Sequence, residues 1–110
     1  MNPPTKPTHD LSAIKATVAV GFVYYRVQAV RSAAELEFSR QDIDQCILEL
    51  TPADFHKTMP SRVPKWAGCW QDVYKPTFCG VELYVKIQLY PGQRVYVVSF
   101  KRKDEDEFTE

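Results

Sequence analysis

The sequence predicts an α+β domain: a twisted, mainly antiparallel sheet with amino-terminal helices packed on one face. Three observations predict it. Helix-spaced apolar residues behind cap signals fill the first half of the chain, alternating β-formers fill the last third, and 110 residues suffice for one hydrophobic core but not two. The domain is expected to span residues 1–103, with 104–110 an acidic, disordered tail.

Taken in order, Thr8 or Asp10 can cap a first helix in which Leu11, Ile14 and Val18 share a face and Gly21 supplies the stop. Phe22 to Gln28, rich in β-branched and aromatic residues, reads as a strand. Ser32 and Glu35 make a capping-box pattern that predicts the start of a second helix there. Ser39 and Asp42 open a third, whose stripe of Ile43, Cys46, Ile47 and Leu50 is a core face. Cys46 on that stripe reads as a small core residue rather than a nucleophile. Thr51-Pro52-Ala53-Asp54 restarts one helical turn with proline at its tolerated first position. Thr58 to Gly68, with Pro60, Arg62, Pro64 and Lys65, reads as an irregular basic loop.

Three strands follow, roughly Trp70–Thr77, Val81–Tyr90 and Arg94–Arg102, the last two joined tightly at Pro91-Gly92. Val81, Leu83, Val85, Ile87 and Leu89 alternate with Glu82, Tyr84, Lys86, Gln88 and Tyr90. A register pairing residues whose numbers sum to an odd value sets Tyr96, Val98 and Phe100 beside Leu83, Val85 and Ile87. Burial selects that register over the alternative, which would put Ser99 and Lys101 among the aliphatics. It also brings Tyr84 and Lys101 together on the polar face, with Lys86 and Gln88.

The formal net charge is zero, but the charges are segregated. Residues 56–103 carry nine basic groups against Asp72 and Glu82, whereas the last seven residues hold five acidic ones. A basic half-domain suits a polyanion such as RNA, although charge alone fits a solvated surface equally well. Three cysteines without Cys-x-x-Cys spacing argue against a disulfide framework or a zinc cage. The longest uncharged apolar stretch, Ala16–Tyr25, is half a membrane span, and the opening residues lack a secretion signal. A cytoplasmic domain with no cofactor and no membrane partner is expected. No phosphate loop, nucleophile elbow or paired-carboxylate pattern is present. A face of Tyr, Lys and Gln can nonetheless cleave RNA, because the ribose 2′-hydroxyl is an internal nucleophile. The protein then has only to align it, move two protons and stabilise charge.

Four segments narrow the reading: Thr51 to Met59, Trp70-Gln71-Asp72-Val73-Tyr74-Lys75-Pro76, Leu83-Tyr84-Val85-Lys86-Ile87, and Val97-Val98-Ser99-Phe100-Lys101. In this order and spacing they resemble the MqsR (motility quorum-sensing regulator) family of type II toxin–antitoxin toxins, strongly from Leu48 to Lys101 and collinearly from Thr8. The resemblance implies a RelE-like fold and metal-independent endoribonuclease (mRNA interferase) activity on messenger RNA at GC-containing sites. It also implies a cognate MqsA-like antitoxin; the free protein is expected to be a monomer. The family's catalytic positions fall on Lys57, Gln71, Tyr84 and Lys101. The roles expected of them on chemical grounds are proton transfer by Tyr84 or Lys57, phosphate clamping by Lys101 and hydrogen-bonded orientation by Gln71. His56, Lys75, Lys86 and Arg102 are the implied RNA contacts. Trp70 or Tyr74 is a candidate base stacker, with burial the stronger expectation for Trp70. The chain departs from the family at His56, where tyrosine is expected, in the Pro60–Cys69 loop, in the longer hairpin turn and in the acidic extension. An imidazole titrating near neutrality makes His56 a further candidate base. The competing reading is a non-catalytic RNA- or protein-binding regulator derived from such a toxin.

Overall fold

Helix α1 (Leu11–Ala19) begins where the carboxylate of Asp10 accepts the Ser12 amide, and it ends at Gly21, whose φ of +85° continues no helix. The computed structural model describes residues 6–62, 68–90 and 94–105. The Pro91-Gly92 turn and residues 106–110 of the acidic tail lie outside the described residues.

Strand β1 (Val23–Tyr25) is shorter than expected, and helix α2 (Val27–Glu35) starts five residues before the Ser32 signal. The strand stops where the Arg26 amide donates to the Val97 carbonyl, and the helix is then set by tertiary packing. Ala29 and Ala33, four apart, form its buried stripe, so Ser32 and Glu35 sit in its later turns. No side chain caps it. Helix α3 (Arg40–Glu49) follows the sequence closely: Ser39 Oγ accepts the Asp42 amide and Asp42 accepts the Ser39 amide at 2.8 Å. Ile43, Cys46, Ile47 and Leu50 are all buried. Pro52–Asp54 forms a 3-10 turn, and a second one, Lys103–Glu105, follows the last strand.

The segment expected to loop from Thr58 opens instead with β2 (Phe55–Pro60), paired antiparallel to β3 (Trp70–Tyr74). A bulge between Phe55 and Lys57 makes His56 the extra residue. Strand β4 (Thr77–Phe78) turns through Cys79 and Gly80, both at positive φ, into β5 (Val81–Tyr90), which pairs with β6 (Arg94–Arg102). The sheet runs β1-β6-β5-β3-β2, with β4 added beside β5 and only β1 parallel to its neighbour.

The helices cover one face. Ile14, Val18, Ala29, Ala33, Ile43, Cys46, Ile47 and Leu50 meet Tyr74, Leu83, Val85, Ile87, Val95, Val97 and Phe100 there. This inner face corrects the predicted register in part. Tyr84 pairs with Lys101 and Val85 with Phe100, as the odd sum requires, but a bulge after Lys86 shifts the remaining pairs to Ile87–Val97, Gln88–Tyr96 and Leu89–Val95. Val98 is the extra residue. Beyond it the parity flips, so Val95 and Val97 enter the core and Tyr96 turns to the other side.

Before α1, the backbone amides of Thr8 and His9 donate to the two oxygens of buried Asp72 at 2.9 and 2.8 Å. The Thr8 and Thr58 hydroxyls are 2.7 Å apart, and His9 Nε2 lies 2.8 Å from the Trp70 carbonyl. The amino-terminal segment is thereby tied to β2 and β3.

Candidate active site

Side-chain alternation along the strands decides which residues share the face opposite the helices, called the outer face below. Lys57 lies opposite Val73, Val73 opposite Lys86, and Lys86 opposite Ser99, so these four cross the sheet in one row. Two residues along, Met59 pairs with Gln71 and Gln88 with Tyr96, and the Gln71 amide donates to Gln88 Oε1 at 3.1 Å to join the two halves. On the other side of the Lys57 row, Tyr84 pairs with Lys101. Lys57, Gln71, Tyr84 and Lys101 therefore stand on one face, the first two on β2 and β3 and the last two on β5 and β6.

Tyr84 is the focus of the charge. The ammonium nitrogens of Lys101, Lys86 and Lys75 lie 5.0, 5.7 and 6.0 Å from the centre of its ring. Each is within cation–π range. Tyr84 is fully buried yet stands outside the apolar cluster beneath the helices, so the three lysine stems cover it rather than the core. Such a group of cations around one phenol concentrates positive charge on this face, which suits a polyanion.

Gln71 is nearly buried. Its Nε2 reaches Gln88 and, at 3.5 Å, Ser61 Oγ. Gln88, which the sequence marked only as a polar-face residue, is wholly buried, and its Nε2 has no hydrogen-bond partner among the described residues. The register makes it a neighbour of Gln71, and a correct reading of the β6 bulge would have singled it out.

The implied RNA contacts divide. Lys75 and Lys86 join the ring of Tyr84. His56 is exposed at the β2 bulge. Arg102 pairs with Leu83, so it leaves the outer face; with Lys75, Lys103 and Glu82 it lines an open basin of about 570 Å³ at the strand ends. Within the basin Lys103 and Glu82 form an ion pair at 3.0 Å. The aromatic expectations are reversed. Trp70 is 38% exposed, because it starts β3 beside the sheet's edge strand, whereas Tyr74 is fully buried on the inner face against Phe55. The Tyr74 phenol is pushed up to about 12, first by burial and then by Asp72, Asp10 and Asp54, so it is no acid or base for chemistry near neutrality. Burial likewise pushes the Cys46 thiol up to about 12 and leaves it inert.

Residues 6–102 match the family model described as motility quorum-sensing regulator, toxin of MqsA. The chain is 33% identical over 97 residues to the mRNA interferase toxin MqsR of Escherichia coli strain K12, covering 88% of this chain and 95% of that protein. With the match running from the amino-terminal tie to the end of β6, the chain belongs to the MqsR toxin family.

Proposed function

We propose that the chain is an mRNA interferase toxin: an endoribonuclease that cuts messenger RNA at GC-containing sites without a metal ion, in the cytoplasm, and is restrained by an MqsA-like antitoxin. The observation that carries the reading is the triple-lysine cluster on Tyr84, on the sheet face the helices leave open and beside Gln71. The kinship with an interferase supports it.

In this reading the ribose 2′-oxygen attacks the adjacent phosphorus, Tyr84 or Lys57 accepts its proton, and the other returns one to the departing 5′-oxygen. The products are a 2′,3′-cyclic phosphate and a 5′-hydroxyl. Lys101 neutralises the non-bridging oxygens, Gln71 orients the reacting groups, and Lys75, Lys86, His56 and Arg102 hold flanking phosphates. The reaction needs the ammonium groups above Tyr84 to swing from the ring onto phosphate, which the flexible four-carbon stem of lysine permits. The edge strands β1 and β2 each offer a route for an antitoxin to add a strand.

Purified protein mixed with a defined transcript in excess EDTA tests the reading. Discrete fragments ending in 2′,3′-cyclic phosphate or 3′-phosphate are expected. Salt-sensitive RNA binding without any product would favour the non-catalytic regulator instead.

A further inference from the structure

The outer face continues past the proposed cutting residues to an aromatic pair. Tyr96 on β6 lies opposite Gln88, and Tyr24 on the edge strand β1 lies opposite Tyr96. One row therefore crosses all five strands of the main sheet: Met59, Gln71, Gln88, Tyr96, Tyr24. Tyr24 is 56% exposed, and the guanidinium of Arg94 sits 4.5 Å from its ring centre. Gln71 and Tyr96 flank Gln88, whose buried Nε2 has no partner among the described residues.

We infer that Tyr24 and Tyr96, with Arg94, form a stacking subsite for a base next to the cleaved nucleotide of single-stranded RNA. The inference rests on the ribonuclease reading and adds to it where the strand runs. Four residues separate Tyr84 from Gln88, about 13 Å along β5, so the base received here belongs to a neighbouring nucleotide and not to the reacting one. Exposed aromatic rings on a sheet take unpaired bases because every base has a π face, and a guanidinium at the ring can stack or meet a phosphate. Two features favour RNA over a protein segment: the row is continuous with the lysine-rich face, and the cation beside Tyr24 is arginine.

The test uses the full chain and two probes. Tyr24→Ala and Tyr24→Trp are compared with the parent in steady-state cleavage of a defined transcript. All three are also titrated against an uncleavable 2′-O-methyl oligoribonucleotide of the same sequence. Because Tyr24 is exposed, both variants are expected to melt like the parent. Tyr24→Ala should weaken oligonucleotide binding and raise KM about tenfold with kcat nearly unchanged, and Tyr24→Trp should restore both. Unchanged oligonucleotide affinity in Tyr24→Ala overturns the inference, whether or not the parent cuts. So does unchanged RNA affinity together with lost binding of the antitoxin, which would assign the pair to a protein interface. A parent that binds the oligonucleotide but yields no product refutes the ribonuclease reading alone, and the binding titration still decides the subsite.

Discussion

Tyr84 and Lys101 carry the chemistry in this account, and they face each other directly across the β5–β6 ladder. Removing only the phenolic oxygen by Tyr84→Phe keeps the ring that the three lysines cover, so the fold should survive while a proton-transfer group is lost. Cleavage of a defined transcript is expected to fall by roughly 10²-fold or more, in the range usual for losing a general acid or base. Lys101→Ala should cost a similar factor through loss of charge on the phosphate oxygens. Rates are to be read beside circular-dichroism melting curves; parent-like rates in both folded variants would remove the pair from the site. Gln71 works differently, because it is held by Gln88 and is nearly buried. In the proposed reaction its part is to fix geometry.

At the scale of elements, the tie between the amino terminus and β3 has a measurable consequence. Asp72 is fully buried and accepts two backbone amides, so Asp72→Ala leaves the Thr8 and His9 amides without their acceptor. Hydrogen bonds to an ionised group contribute about 1.5–3 kcal/mol each, and partial resolvation of the freed segment puts the loss at about 2–4 kcal/mol. The denaturation midpoint in urea checks this, and a shift below about 0.5 kcal/mol would mean the tie is ornamental. Elements whose signals are local were legible in the sequence: α3 from Ser39 and Asp42, α1 from Asp10 and Gly21, β5 from its alternation. Those set by distant partners were not. The start of α2 depends on Arg26 bonding to Val97, far along the chain. Strand β2 was hidden by Pro60 and by the bulge at His56. The bulge at Val98 leaves no mark on a sequence of consecutive β-formers, so the register was legible only on the Tyr84–Lys101 side. The Tyr84–Lys101 pairing was legible for the same reason, because it lies before the bulge, whereas Lys57 and Gln71 were pointed to by the family resemblance and not by the register. The aromatic row is not legible in the sequence, because alternation without the Val98 bulge puts Tyr96 on the inner face.

For the molecule as a whole, three acids raised by burial, Cys46, Tyr74 and Tyr25, should make stability fall at alkaline pH. Cys46 is raised from 9.0 to about 12 and Tyr74 from 10.0 to about 12, both chiefly by burial. Tyr25, bonded to Asp44, is raised as well. In each case the folded state holds a proton that the unfolded chain has begun to release, so the unfolded state binds fewer protons and stability falls as pH rises. The fall should begin near pH 9 and steepen toward pH 12, and Cys46→Ala should shallow its early part. Melting temperature measured from pH 8 to 11 checks this; a flat profile would contradict it. The charge pattern acts on the same scale, since a basic outer face and basin on a neutral chain should give RNA affinity that drops steeply with salt.

The most direct measurement is a single-atom change in the substrate. Once the cut in a short RNA has been mapped with the wild-type protein in EDTA, the nucleotide on the 5′ side of the cut is replaced by its 2′-deoxy form and the digestion is repeated. An internal 2′-hydroxyl nucleophile predicts that cutting at that position stops while the modified RNA still binds. Continued cutting there, at the same bond and rate, would show that the attacking group comes from elsewhere and that the lysine–tyrosine face does not act as described.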